Sequence, residues 1–265
     1  MKLIKFFAFI FIGLGVLSCA EDNDDATPFV PTNVTTPMTS VDFKLSNDFD
    51  GTLVDNTNFT TLTLTNENGE VLRAERIRYL ISKLELTSVE TGTVYKLKDY
   101  NLLDISDETT YNFTSDIQIP LGNYKLSMVW GFNEEDNVDG VYVDLNAASW
   151  GWPQGLGGGY HFLQFDGKYN VDTASPMPFN FHNGTAKNAA GEFEQNFVTF
   201  AFDTDILIAG NTEIELKMNI AELFRNPNTW DLNVLDTPLM PNYTAQKMMQ
   251  QNVASVFSIG TISNN

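Results

Sequence analysis

From about residue 39 onward the apolar positions recur mostly every second residue, in short runs broken by turn-forming residues. VDFKLS, FTTLTLTN, IRYLISKLELTSV, YKLKDYNLLDI, TYNFTSDIQI and NYKLSMVWGF are rich in β-branched and aromatic residues. Glu-Asn-Gly-Glu, Glu-Thr-Gly-Thr and Pro120-Leu-Gly-Asn separate them, and such clusters mark turns. In NYKLSMVWGF, Tyr124, Leu126, Met128 and Trp130 alternate with period two, the signature of a half-buried strand. In FTTLTLTN, Phe59, Leu62 and Leu64 mark one side and Thr the other. YHFLQFDG, PFNFHNG, NFVTFAFDTDILI and TEIELKMNI continue the series after a glycine-rich turn. About ten short strands with few helices predict an all-β fold, an antiparallel β-sandwich with long loops. One helix is expected, over Thr244 to Phe257, with Met248, Met249, Val253, Val256 and Phe257 near one face and Thr244 as N-cap. Ala221 to Phe224 is expected to form one helical turn.

The N-terminus changes the picture. Lys2 and Lys5 form a short basic region, and Leu3 to Val16 is nearly all apolar. This run is shorter than the roughly 20 residues a spanning helix needs and reads as a secretory signal. Val16-Leu17-Ser18-Cys19 resembles a bacterial lipobox, and Cys19 is the chain's single cysteine. Lipidation at Cys19 explains it, since no disulfide within the chain is available. The acidic, then Pro- and Thr-rich stretch that follows reads as a tether. The organisation expected is therefore a signal over 1–18, a lipidated tether over 19–38 and one β-domain over 39–265. An outer-membrane lipoprotein, surface-exposed or facing the periplasm, is the location this implies.

Charge narrows the partners. The net charge is −19, which repels nucleic acid and favours cations. Glu135, Asn137 and Asp139, followed by Gly140, partly mimic a calcium loop, although the closing position, 146, is Asn. There is no G-x-S-x-G and no phosphate-binding G-x-x-x-x-G-K-[ST]. Gly155, Gly157, Gly158 and Gly159 are expected to permit a turn with φ > 0. The chain is expected not to be an enzyme.

The two histidines remain. His161 and His182 each sit on a short aromatic strand beside glycine. Strand alternation places His161 with Leu163 and Phe165. If the two imidazoles converge, copper, zinc or nickel suits them. Zinc prefers four ligands, whereas Cu(I) tolerates two or three and accepts soft neighbours. Met177 is the candidate thioether; Trp150 and Trp152 are candidate indole neighbours. Ordinary imidazoles would lose the metal below about pH 6.

Trp150-Gly151-Trp152, then Gly159-Tyr160-His161-Phe162-Leu163-Gln164-Phe165-Asp166-Gly167, and later Phe181-His182-Asn183-Gly184 resemble the signature of the MbnP-like family: W-x-W, G-Y-x-F-x-x-x-x-G and F-H-x-G. Arg76 to Leu86, Ile119 to Tyr124 and Asn252 to Phe257 resemble its early strand, strand-entry turn and closing helix. The resemblance covers most of 38–260 in consistent order. It implies a copper-binding envelope protein like those of methane-oxidising bacteria. In such relatives copper is held by His with a Trp-derived group, the Trp being oxidised to kynurenine in some. Carried over, the ligands are His161 and His182, with Trp150 or Trp152 as neighbour or modification site. The insertion Pro153-Gln-Gly-Leu-Gly-Gly is longer than the compact form of the motif.

The expected function is thus copper acquisition, storage or delivery at one end of the sandwich. Partners would be membrane lipid through acylated Cys19 and an outer-membrane transporter or electron-transfer protein. The rival expectation is a metal-free surface protein whose exposed Trp130, Trp150, Trp152 and Tyr160 stack on a glycan or protein partner.

Overall fold

The computed structural model describes residues 36–264. The signal segment, Cys19 and the tether as far as residue 35 lie outside the described residues. Regular pairing begins at Met38–Thr39, which meets Ile119–Pro120, one residue ahead of the expected domain start.

The two larger of the four sheets share one hydrophobic core. The smaller is built on β1 (Val41–Phe49), whose alternate residues Val41, Phe43 and Leu45 are buried. The larger centres on β2 (Val71–Ser88). β3 (Val94–Asp104) and β4 (Gly122–Trp130) pair antiparallel with β2 toward its C-terminal end. β5 (Leu163–Tyr169) pairs with the first part of β2, and β6 (Met177–Asn183) pairs with β5. β7 (Val198–Ala201) and β8 (Ile206–Ile208) both lie along β4. β9 (Thr212–Asn219) and β10 (Phe257–Asn264) return the chain to the first sheet. The β1–β9 pair is parallel, one departure from the antiparallel expectation. No hairpin links these two strands, so the turn geometry that enforces antiparallel pairing is absent.

The alternation of β4 holds: Tyr124, Leu126, Met128 and Trp130 are all buried. Trp130 stacks on Tyr79 of β2 at 5.6 Å, and Phe257 of the opposite sheet meets both rings, at 5.8 and 5.7 Å. The Tyr79 hydroxyl crosses the core to donate to Asn47 Oδ1 at 3.0 Å. A buried phenol needs such an acceptor, so this contact ties the sheets together in one register.

Three expectations change. In FTTLTLTN only Leu64–Thr65 is strand. The preceding residues form turns, with Phe59 N–H donating to the Asp55 carbonyl and Leu62 N–H to that of Asn58. The Asp55 and Asn58 side chains accept from the Thr57 and Asp55 amides, and this local bonding competes successfully with a ladder. TYNFTSDIQI yields only Asn112–Thr114 and Ile119–Pro120. The C-terminal helix runs over Tyr243–Val253, capped by Asn242, whose side chain accepts from Ala245 N–H at 3.1 Å. Asn242 rather than Thr244 is therefore the cap, and Phe257 already belongs to β10. The inner face of the helix carries two fully buried amides, Gln246 and Asn252, which an apolar periodicity does not report. The single turn appears as a 3-10 helix, Ile220–Phe224.

Replacing Tyr79 with Phe strands the buried Asn47 carbonyl oxygen. We expect a loss of about 1–3 kcal/mol in unfolding free energy, measured by denaturant titration with an unchanged m-value.

Candidate functional site

Strand register assembles one polar patch on the larger sheet. Arg78, Gln164 and His182 stand opposite one another across β2, β5 and β6, and Arg76, Asp166 and Asn180 form the next such row. Successive side chains leave a strand on opposite faces. Phe165, Phe179 and Phe181 therefore point into the core, against Phe224 and Trp230, and the polar rows point away from it.

His161 joins this patch by breaking the alternation. It lies before β5 begins, and its backbone N–H donates to the Trp150 carbonyl at 2.9 Å. The ring turns away from the Leu163 and Phe165 side and meets the His182 ring at 5.3 Å between centroids, nearly perpendicular at 80°. The expectation that His161 shares a face with Leu163 and Phe165 is thus corrected. Trp152 lies 4.9 Å and Trp150 5.6 Å from the His161 ring.

The glycine-rich loop delivers these rings. Gly157, Gly158 and Gly159 all have positive φ, at 113°, 67° and 80°. Asp139 Oδ1 accepts from Gly159 N–H at 2.6 Å, and Asn137 Oδ1 from Tyr160 N–H at 2.9 Å. The oxygens expected to face calcium thus accept from backbone amides, and Glu135 is exposed. Asn137 and Asp139 act as a brace for the turn. Gly184 explains the end of the F-H-x-G pattern: a Cβ there would sit 2.5 Å from Trp152 Cδ2, so only glycine lets the indole lie flat against β6.

Each imidazole has one nitrogen committed. His161 Nδ1 lies 3.0 Å from the Trp150 carbonyl. A carbonyl only accepts, so Nδ1 carries the proton and Nε2 the lone pair. His182 Nε2 lies 2.7 Å from Asp166 Oδ1. A carboxylate also only accepts, so in the neutral ring the lone pair is on Nδ1. That Nδ1 is buried and has no hydrogen-bond partner among the described residues. Burial lowers the His161 pKa to about 4, against the bond to Trp150, with the His182, Arg76 and Arg78 charges pushing the same way as burial. For Asp166, burial acts upward, but hydrogen bonds from His182 and Asn180 and the nearby cations prevail and hold it at about 2. Arg76 pairs with Asp166. Arg78 lies 5.1 Å over the Trp150 ring and donates to Gln164 and the Ala148 carbonyl.

The four aromatic rings of the rival reading are interior. Trp130, Trp150 and Tyr160 are 0% exposed and Trp152 2%, so they offer no stacking surface. Met177 is half-exposed at the start of β6. Five residues of strand separate it from His182, roughly 16 Å, and it has the parity of the core face. The structure therefore does not bring Met177 to the pair. Residues not anticipated from sequence are Asp166, Arg76 and Arg78, whose strand positions look like ordinary polar alternation, and the loop 237–241. That loop and Leu156 wall a largely apolar cavity of about 490 Å³ whose edge is His182. Among the described residues no group of three or more His, Cys, Asp or Glu side chains is placed to hold a metal.

Two measurements follow from this geometry. Gly184→Ala forces the Trp152 indole aside; we expect a destabilisation of about 1–3 kcal/mol and a shift in tryptophan fluorescence. The acid limb of stability follows from linkage. The ordinary value of 6.5 for His161 falls to about 4. Its contribution is complete above pH 6.5 and disappears as pH falls toward 4. The ordinary value of 3.8 for Asp166 falls to about 2, so its contribution disappears below pH 3.8. His161→Gln removes the upper window, flattening the stability profile of the metal-free protein between pH 6.5 and 4 in denaturant titrations.

Comparison with known proteins agrees with the residue patterns. The MbnP family model matches residues 38–249. No curated protein matches the chain. Among solved structures, MbnP from Methylosinus trichosporium is similar in fold, with a TM-score of 0.52 at 13% identity, covering 84% of this chain and 99% of that one. With most of its length matched by the family model, the chain belongs to the MbnP family.

Proposed function

We propose that this protein is a lipid-anchored envelope protein that binds copper, as the cuprous ion, between His161 and His182, for acquisition, storage or delivery and without turnover. The observation that carries the reading is the adjacent imidazole pair, its rings 5.3 Å apart and nearly perpendicular, each with one nitrogen against an acceptor and, in the neutral ring, a lone pair on the other. The orphaned, buried Nδ1 of His182 is the strongest sign of fit. Five other buried side-chain atoms also lack a partner among the described residues, Arg78 Nε and Trp150 Nε1 of this patch among them, but His182 Nδ1 is the one that carries a lone pair suited to a soft metal ion.

The donor set supports a soft monovalent ion. Both donors would bind the ion as neutral nitrogens, and the nearest carboxylate, Asp166, is already held by His182, Asn180 and Arg76. Arg76 and Arg78 leave the surroundings positive before any metal enters, which penalises a divalent ion more than a monovalent one. Zinc would lack two of its usual four ligands. Bound copper supplies a soft, low-coordinate centre. The chain's own residues orient it: the Trp150 carbonyl sets the His161 tautomer, Asp166 sets that of His182, and Trp150 and Trp152 exclude water. With the His161 pKa at about 4, that ligand stays neutral well below the pH 6 expected of an ordinary imidazole. The envelope location rests on the N-terminal signal and Cys19.

Competition titration against a Cu(I) chelator tests the reading. His161→Ala and His182→Ala each lower Cu(I) affinity on the order of 100-fold, since each removes one of two donors. Asp166→Asn lowers it about 10–100-fold, through loss of tautomer control. Unchanged affinity in either histidine variant rejects the proposal.

A further inference from the structure

The cavity beside His182 contains a soft donor that the pair lacks. Its floor is Asn180 and His182, which share the outward face of β6. One wall is Leu156 of the glycine-rich loop, and the opposite wall is the segment 237–241, including Leu239 and Met240. This segment is held to β6 at two points. Asn180 N–H donates to the Asp236 carbonyl at 3.1 Å. Gln246, fully buried on α2 (Tyr243–Val253; the short helix Val143–Ala147 is α1), donates through Nε2 to the carbonyls of His182, at 2.7 Å, and Leu239, at 3.2 Å. One amide therefore grips both the backbone of a candidate ligand and the residue next to Met240. Met240 is half-buried in this wall.

We propose that Met240 supplies a thioether to the metal held by His161 and His182, completing a three-coordinate soft site at the edge of the cavity. The proposal rests on the copper reading above. The chemistry follows from donor type. Thioether sulfur binds Cu(I) and other soft monovalent ions, and contributes little toward hard or divalent ones. Two neutral nitrogens alone discriminate weakly among copper, zinc and nickel. A neutral sulfur adds selectivity without adding charge, in surroundings where Arg76 and Arg78 are the nearby cations and the one nearby carboxylate is engaged. Methionine is also long and unbranched, with three rotatable bonds. It can close on the ion or swing into the cavity that His182 lines. Thr237, Pro238 and Pro241 around it are exposed, which puts this wall within reach of a partner that takes the metal.

The test uses the full chain in detergent, loaded with Cu(I) and, separately, with Cu(II), in wild-type, Met240→Leu and His161→Ala forms. Leucine is close in volume and usually tolerated in place of methionine. X-ray absorption at the copper edge is expected to show a sulfur scatterer at about 2.3 Å, by analogy with zinc–sulfur sites, in wild type and not in Met240→Leu. Cu(I) affinity falls on the order of tenfold in Met240→Leu, while Cu(II) affinity stays the same. Selenomethionine-labelled protein gives an independent reading, a copper neighbour at the selenium edge that Met240→Leu removes. Nitrogen-only coordination in wild type, with Met240→Leu binding Cu(I) normally and His161→Ala losing it, overturns the thioether proposal alone. Equal binding by wild type and His161→Ala overturns the copper reading and this inference with it.

Discussion

The Trp150 carbonyl holds the site together. It accepts both the backbone N–H of His161, at 2.9 Å, and the ring Nδ1–H of the same residue, at 3.0 Å. A carbonyl oxygen has two lone pairs and can serve both. The first bond ties the tryptophan-bearing loop to the entry of β5. The second sets the ring's orientation and tautomer. Without it, His161 would continue the strand alternation into the core, the imidazoles would face opposite sides of the sheet, and Nε2 would not be fixed as the free nitrogen. The braces formed by Asn137 and Asp139, the positive φ of Gly157 to Gly159 and the absence of a Cβ at Gly184 all hold Trp150 and Trp152 where that carbonyl can act.

The second imidazole is set by a different device with the same outcome. Asp166 is ionised, being held at about 2, and its oxygen faces His182 Nε2. Asn180 and Arg76 occupy its remaining valence. One ring is oriented by a neutral dipole and the other by a charge, and in both the spare nitrogen is left inside the patch. Burial then keeps His161 unprotonated, so acid affects the fold through the same group that would bind the ion.

Much of this was open to reading from the chain. The period-two alternation of Tyr124, Leu126, Met128 and Trp130 located β4 because one face of that strand is wholly interior. The order of W-x-W, G-Y-x-F and F-H-x-G located both histidines, since each glycine in it serves a steric need. Other features were hidden for physical reasons. Phe59 and Leu62 alternate with threonine as a strand would, but nearby Asp55 and Asn58 side chains bond the backbone into turns. The buried amides of Gln246 and Asn252 weaken the apolar face of the C-terminal helix, and its cap fell two residues early. Met177 was nearer in sequence to His182 than Met240, yet a strand carries it away, while the helix-anchored loop brings Met240 back. Asp166, Arg76 and Arg78 gained meaning only through cross-strand register, which no local pattern specifies.

The central claim is that two particular nitrogens, Nε2 of His161 and Nδ1 of His182, hold one soft ion. Long-range proton–nitrogen NMR of histidine-labelled protein, without metal and with Ag(I) as the stable soft analogue, reads it directly. In the metal-free protein the account requires protonated Nδ1 on His161 and protonated Nε2 on His182. On loading, the other nitrogen of each ring should shift and couple to silver at one equivalent of metal. The reverse tautomers, or silver coupled to neither ring, would contradict it.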